Sequence, residues 1–252
     1  MHVLGSDPRP LGPPSRYTLP LVWSRPESPS TMTFRFSTEG TEFRYLSNQW
    51  VRVSLPGVAD PWGAARSFSL SSSPSEPGGI SVTCRISDTP FKQALAHLRP
   101  GDVAEVYGPL GLFLYDASRP GVFLAGGIGI TPLRGMLRFA ADTRVTTARR
   151  LLYTARTPEE LVFRSEFDAL AAASTEFQVH YAVTRPADSS MPWTGRTGRI
   201  EARWIEEVAG PLSTPRYYVA GLPEMVATTV QTLTGPLGVP EDDVDYEVFR
   251  GF

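Results

Sequence analysis

Two rhythms of apolar and polar positions divide this chain. From Tyr17 to about Leu114 the apolar residues come in short, alternating, β-rich runs. TMTFRFS, WVRVSL, RSFSLSS and ISVTCRIS are separated by Gly, Pro and Asp clusters. One helical patch, PFKQALAHL, interrupts them, with Leu95 and Leu98 spaced for a single apolar face. Such a series of short strands predicts a small antiparallel barrel or sandwich. After Arg119-Pro120-Gly121 the rhythm changes to strands alternating with helices. VFLAGG, RRLLYTAR, FQVHYAVTR, RYYVAG and VDYEVF read as strands, and PLRGMLRFAA, EELVFRSEFDALAAA and PEMVATTVQTL as helices. That alternation predicts a parallel sheet covered on both faces. The expected organisation is a two-domain chain: a Pro- and Gly-rich flexible lead-in over residues 1–16, a β-barrel over 17–117, and an α/β domain over 118–252.

Composition narrows the chemistry. With 24 Lys+Arg against 26 Asp+Glu the formal net charge is -2, which gives no reason to expect nucleic acid or an anionic membrane as a partner. The single cysteine, Cys84, excludes a disulfide framework within the chain. It also excludes a cysteine-ligated iron–sulfur cluster, which needs about four thiolates. By strand alternation Cys84 belongs to the barrel core. His2, His97 and His180 show no metal-ligand spacing, so no metal site is expected. No apolar run reaches the roughly 18–20 residues of a membrane span, and the N-terminus lacks a signal-peptide core. The expectation is a soluble, cytoplasmic protein.

Two strand ends carry glycine. In VFLAGGIGITP a buried strand runs into Gly126, Gly127 and Gly129 and then a helix start, with Pro132 in its first turn. Glycines let the backbone approach a phosphate, and free N–H groups at a helix N-terminus favour an anion. A tight strand-to-helix connection without a ligand is the competing reading. AGLPEM, around Gly221, repeats the layout at a second strand end. Ligands of open parallel sheets sit at the carboxyl ends of strands, so the two turns could flank one crevice. A third stretch, RSFSLSSS (Arg66 to Ser73), is odd in another way: its apolar positions alternate with small hydroxyls, behind one leading cation.

Taken in order, these stretches resemble the ferredoxin–NADP reductase family of flavoproteins, from about Tyr17 to Phe252. RSFS is similar to the family's R-x-Y-S flavin motif, and GPLGLF (Gly108 to Phe113) to its G-P-x-G-x-F turn. GGIGITP is similar to G-G-x-G-x-T-P, AGLPEM to A/C-G-P-P-x-M, and EVF to the terminal E-x-Y/F. The resemblance implies FAD in the barrel domain and NADPH or NADH in the α/β domain. It implies hydride transfer from the nicotinamide to flavin N5, with the cofactor carrying the hard chemistry.

By that resemblance Arg66 pairs with the flavin diphosphate, with Ser67 beside it. Phe68 lies against the isoalloxazine and Ser69 hydrogen-bonds at N5, the small side chains allowing the ring to lie flat. Arg85, Ile86, Ser87 and Thr89 occupy the region that contacts the diphosphate, although Thr89 is also a plain helix N-cap. Phe68 replaces the usual Tyr, and Ala220 replaces the Cys of the C-G-P-P motif. Around the transferring hydride the resemblance places Ser69, Glu247 and the aromatic Phe249, with Phe252 as a further ring that could stack on the flavin. Gly127, Gly129, Thr131 and Gly221 fall on the nucleotide side. Thr184 and Arg185 match the Ser/Thr-Arg that grips a 2′-phosphate, and Arg156 at the neighbouring strand end could assist. This favours NADPH over NADH. No iron–sulfur domain is fused, so the electrons would go to a separate acceptor, a redox protein such as a ferredoxin or oxygenase component, or a small acceptor. The alternatives are a reductase of free flavin and a regulatory or electron-transfer subunit that binds flavin or nucleotide.

Overall fold

The computed structural model describes residues 12–249; Phe252 lies outside them. The chain forms two compact units, one of which joins Arg134–Thr143 to the chain before Asp116. In that unit six strands form one antiparallel sheet: β1 (Ser15–Ser28), β2 (Thr31–Ser37), β3 (Trp50–Ser54), β4 (Ala65–Ser69), β5 (Gly79–Arg85) and β6 (Val103–Leu110). Their order is β4-β3-β6-β1-β2-β5. A bridge between Leu70 and Val82, and the Ser71 N–H donated to Ser81 O at 2.9 Å, join the end of β4 to β5. The sheet thereby closes into a barrel, which leaves no long edge open.

Strand alternation fills the barrel. Val51 and Val53 are fully buried while Arg52 between them is exposed, as the two-residue period of a strand requires. Leu19, Leu21, Phe34, Phe36, Ile80 and Val82 complete the core. The long strand β1 pairs through Ser15–Pro20 with β6 and from Leu21 onward with β2, with a register irregularity between Leu21 and Trp23. Helix α1 (Pro90–Ala96) starts at Thr89, whose hydroxyl accepts the Lys92 N–H, and buries Phe91 and Leu95.

The hydroxyls of RSFSLSSS serve the barrel itself. Ser71 Oγ lies 2.8 Å from Thr83 Oγ1, which is 2.7 Å from Thr33 Oγ1. Ser72 Oγ sits 2.8 Å from the Tyr45 hydroxyl and accepts the Ser81 N–H at 2.9 Å. Ser71, Ser72 and Ser73 are all buried. This departs from the reading in which the small side chains make room for a flat ring: for these three serines, they close a polar seam where two strands meet. A buried hydroxyl is tolerated only when hydrogen-bonded, and here each has a partner. In the same unit, Arg134 donates to Ser71 O at 3.0 Å and forks onto both Glu76 oxygens at 2.5 and 3.0 Å.

The second unit holds Asp116–Leu133 and the chain after Arg144. Its strands are β7 (Gly121–Gly126), β8 (Arg149–Ala155), β9 (Phe177–Val183), β10 (Arg196–Thr197), β11 (Arg216–Gly221) and β12 (Val244–Val248). They form one sheet in the order β10-β9-β8-β7-β11-β12, and every pair is parallel. Helices α2 (Ile130–Asp142), α3 (Arg164–Ala173), α4 (Ala202–Ala209) and α5 (Pro223–Thr234) connect the strands. Val122, Leu124, Leu152 and Val219 pack with Trp204 and Ile205 of α4 and Val226 and Leu233 of α5. Phe123, Tyr153 and Tyr218, at alternate positions, are buried on the other face.

The helix expected from Glu159 begins only at Arg164. Leu161, Val162 and Phe163 are buried before it, and Phe163 adopts a left-handed φ of 63°. Burying three consecutive apolar side chains takes an irregular turn, because a helix would send them to different faces. No helix of the described residues is long and apolar enough to cross a membrane.

Candidate functional site

Each unit carries one half of the expected chemistry. In the barrel, β4 places Arg66 and Phe68 on one side, both buried, while Ser67 is exposed. Arg66 Nη1 donates to the carbonyls of Trp62, Gly63 and Ala65 at 3.2, 2.6 and 3.1 Å. Its Nη2 lies 2.6 Å from Asp60 Oδ1, an acid that sequence reasoning passes over. Nε, buried beside it, has no acceptor. The Asp60 carboxylate also accepts the N–H groups of Trp62 at 2.8 Å and Phe91 at 3.0 Å. Desolvation pushes this carboxyl up, but those two N–H donors and the Arg66 guanidinium outweigh it and hold it below the usual range.

The Phe68 ring stacks on Phe91 with centroids 6.2 Å apart, and the Lys92 ammonium lies 4.5 Å from the Phe68 centroid. Lys92, the only lysine in the chain, is itself buried beside Cys84. Burial raises the Cys84 thiol, with Lys92 opposing. Cys84 is a core residue, 4% exposed. Ser69, at the end of β4, is buried and pairs in register with Trp50.

The remaining barrel residues lie around the start of α1. Arg85 ends β5, and Ile86 donates its N–H to Ser30 O at 2.8 Å. Ser87 Oγ is 3.5 Å from Thr89 Oγ1, and its carbonyl accepts the Gln93 amide at 2.9 Å. In the GPLGLF turn, a Cβ on Gly111 would sit 2.5 Å from the Trp50 ring, so the turn admits only glycine there.

In the α/β unit the expected residues fall at the carboxyl edge of one sheet. Gly127 follows β7, Arg156 follows β8, Thr184 and Arg185 follow β9, Gly221 ends β11, and Glu247 and Phe249 lie at the end of β12. The two glycine turns touch: a Cβ on Gly129 would come within 2.2 Å of Ala220 O and 2.6 Å of Gly221 Cα. Only glycine lets β11 and the start of α2 approach so closely, and the result is a backbone cradle between neighbouring strand ends. Thr131 is buried, its hydroxyl donating to Ile128 O at 3.1 Å. The Phe249 N–H donates to Gly221 O at 2.8 Å, and Glu247 stands opposite Ala220 in the ladder.

The arginines sit apart from this cradle in sheet order, at the ends of β8 and β9. The Arg185 N–H donates to Arg156 O at 2.8 Å, which ties the two turns together. Both side chains are exposed. Arg185 makes one loose ion pair, 3.9 Å to Asp188. Thr184 Oγ1 donates to Ala155 O at 3.3 Å. Glu159, which no sequence motif singles out, pins the segment after Arg185. Its oxygens accept the Ser189 hydroxyl at 2.7 and 2.8 Å, the Ser190 hydroxyl and N–H at 3.2 Å each, and the Met191 N–H at 3.3 Å. The Ser189 hydroxyl, foremost among these donors, holds the Glu159 carboxyl down at about 2.

A barrel with a buried arginine beside a covered aromatic, and a parallel sheet with paired glycine turns at its carboxyl edge, define a flavin- and nicotinamide-dependent oxidoreductase. Residues 18–115 match the oxidoreductase FAD-binding domain, and residues 123–231 the oxidoreductase NAD-binding domain. The chain is 33% identical over 238 residues to a ferredoxin–NADP reductase B of Sorangium cellulosum, covering 90% of this chain and 95% of that one. It is 31% identical over 201 residues, 74% of its length, to a component of the Na(+)-translocating NADH-quinone reductase of Pseudomonas aeruginosa, and it spans about half (49%) of that component. In fold it matches a ferredoxin NADP+ reductase from Neisseria gonorrhoeae with bound FAD and NADP. There the TM-score is 0.77 at 22% identity, over 94% of this chain and 99% of that one.

The chain belongs to the ferredoxin–NADP reductase family of flavoproteins. It is an NAD(P)H-dependent flavoprotein reductase whose cofactor is FAD. The barrel residues fit that group in one respect: the buried Nε of Arg66 has no acceptor, and a phosphate oxygen would satisfy it, while Nη2 is already ion-paired with Asp60.

Proposed function

We propose that this chain takes its hydride from NADPH in preference to NADH and hands its electrons to a separate acceptor. The carrying observation is the pair of exposed guanidinium groups, Arg156 and Arg185, at adjacent strand ends joined by a backbone hydrogen bond. A 2′-phosphate favours such cations, whereas a bare ribose diol favours an acid. Thr184 stands between them as a further polar contact. Gly127, Gly129, Thr131 and Gly221 form or support the backbone cradle for the rest of the dinucleotide.

In the barrel, Arg66, with Ser67 and the turn of Arg85, Ile86, Ser87 and Thr89, takes the diphosphate of FAD. Phe68 and Ser69 would hold the flavin ring, Phe68 as the aromatic support and Ser69 as a hydrogen-bond partner. When bound, FAD would supply the hydride acceptor and the means of passing electrons on one or two at a time. Glu247 supplies a carboxylate on the nicotinamide side, and Phe249 shields the flavin face. Ala220 leaves that side without the thiol of the C-G-P-P form of the motif.

The domains divide after residue 117, with 17–117 binding FAD and 118–252 binding the nucleotide. The acceptor is a redox protein of the ferredoxin or oxygenase-component class. Two relatives support this: the ferredoxin–NADP reductase of Sorangium cellulosum, and a glycine betaine monooxygenase reductase subunit of Chromohalobacter salexigens that is 31% identical over 169 residues. A cytoplasmic setting suits a chain whose single cysteine is reduced and buried.

The test is the visible spectrum of the purified chain under anaerobic conditions, with NADPH and then NADH. Yellow protein bleached faster by NADPH is the expected result. Equal rates with both nucleotides would remove the 2′-phosphate assignment.

A further inference from the structure

We propose that Asp60 is an internal competitor for the FAD diphosphate and sets how tightly this chain holds its flavin. The proposal rests on the assignment of Arg66 to the diphosphate. Arg66 is 8% exposed and the Asp60 side chain is fully covered, with Nη2 and Oδ1 2.6 Å apart. The cation that should receive a doubly negative diphosphate is therefore already neutralised by a carboxylate of the same chain. The nearby Lys92 ammonium lies against the Phe68 ring and beside Cys84, and makes no ion pair among the described residues.

Geometry and charge pull in opposite directions at this guanidinium. Nη1 is committed to three backbone carbonyls, so its position is fixed. Nε has no acceptor, and Nη2 faces the Asp60 carboxylate, so a diphosphate can reach this edge only beside or in place of Asp60. A diphosphate placed on that edge comes up against Asp60, which is ionised in this setting. Like charges a few ångströms apart in a partly desolvated site repel strongly. The flavin must either push the carboxylate aside or bind beside it, and both lower its affinity. Asp60 is otherwise well held, by the N–H groups of Trp62 and Phe91. It accordingly acts as a standing penalty against the diphosphate.

If instead Asp60 merely holds Arg66 in place, removing its charge would weaken flavin binding. Asp60→Asn separates the two roles, because the amide oxygen still accepts an N–H while the charge is gone. The measurement is release of FAD from the full-length holoprotein on dilution, read as the rise in flavin fluorescence, together with the equilibrium dissociation constant. Riboflavin, which shares the ring and lacks phosphate, is the control. We expect Asp60→Asn to tighten FAD about tenfold or more, the size of one like-charge contact at a partly screened distance, and to leave riboflavin unchanged. Asp60→Ser, which also removes the charge, should shift FAD in the same direction and serves if the Asn variant fails to give a cooperative melt. Weaker or unchanged FAD binding in a folded variant overturns the proposal, and so does an equal gain for riboflavin. Wild-type chain that binds riboflavin and FAD equally would instead remove Arg66 from the diphosphate, a separate failure that takes the proposal with it.

Discussion

The two arginine sites proposed to meet phosphate are built on opposite plans. Arg66 is buried in the barrel, fixed by three carbonyls and charge-paired with Asp60. Arg156 and Arg185 are exposed at the ends of β8 and β9, and Arg185 carries only a loose pair to Asp188, both side chains about 60% exposed. An exposed pair at 3.9 Å is worth little and screens with salt. The barrel thus offers a buried site with its charge already spoken for, while the sheet edge offers exposed cations open to any phosphate. Burial suits a cofactor that must keep one orientation through many turnovers. Open cations suit a substrate that enters and leaves each time.

The largest effect should come from breaking the buried site. Arg66→Ala removes the fixed donor and leaves Asp60 facing the diphosphate alone, so FAD affinity should fall by about a hundredfold or more, as for loss of a charge-assisted contact. The same change strips Asp60 of its counter-charge, and the thermal midpoint should fall as well. Flavin fluorescence on dilution and a melting curve read the two effects. Retention of FAD at wild-type affinity would show that the diphosphate lies elsewhere.

A smaller effect is expected at the open site. Arg185→Ala should raise the KM for NADPH about tenfold, the value of one exposed charge-assisted contact, and leave the KM for NADH within about twofold. In the wild type the NADPH preference should shrink as ionic strength rises through the range where the Debye length falls below about 10 Å. FAD retention should be far less salt-sensitive, since buried pairs are screened less. Equal loss for both nucleotides in the variant would mean that Arg185 touches something common to them, and the contrast between the sites would narrow.

One of these sites is more legible in the sequence than the other. The sheet edge can be read because its parts are local: glycine after an apolar strand, and Arg at the next two strand ends. Parallel topology brings such positions to one edge. Arg66 is legible through its motif, but its partner is not. Asp60 lies six residues before it in a loop and reaches the amide of Phe91, 31 residues on, a contact that no periodicity encodes. The role of the serines after Ser69 is hidden for a related reason: their partners, Thr83, Tyr45 and Ser81, come from segments that only barrel closure brings near.

Among the elements, β1 is masked by Pro20 and Pro26, residues that argue against a strand. The structure tolerates both, Pro20 at the hand-over from β6 to β2 and Pro26 beside a register shift. Helix α4 is short, and it still buries Trp204, Ile205, Val208 and Ala209.

The finest comparison concerns what holds the open site together. Glu159 gathers the Ser189 and Ser190 hydroxyls and two backbone N–H groups of the turn after Arg185, which gives the exposed cation an ordered base. Its carboxyl titrates at about 2, below its ordinary 4.5, because these donors favour the charged form. A depressed folded value stabilises the fold wherever the unfolded chain would bind the proton more readily. That contribution is fully present above about pH 4.5 and is lost as pH falls through about 2. Glu159→Gln should therefore lower the thermal midpoint at neutral pH, and the gap from wild type should close as pH drops from 4.5 toward 2. At neutral pH the KM for NADPH should rise about threefold, less than for Arg185→Ala, because the change loosens a support and removes no phosphate contact. A midpoint gap that stays constant across that acid range would mean that the carboxylate's charge is not what orders the turn. The arginines would then owe their placement to the strand ends alone.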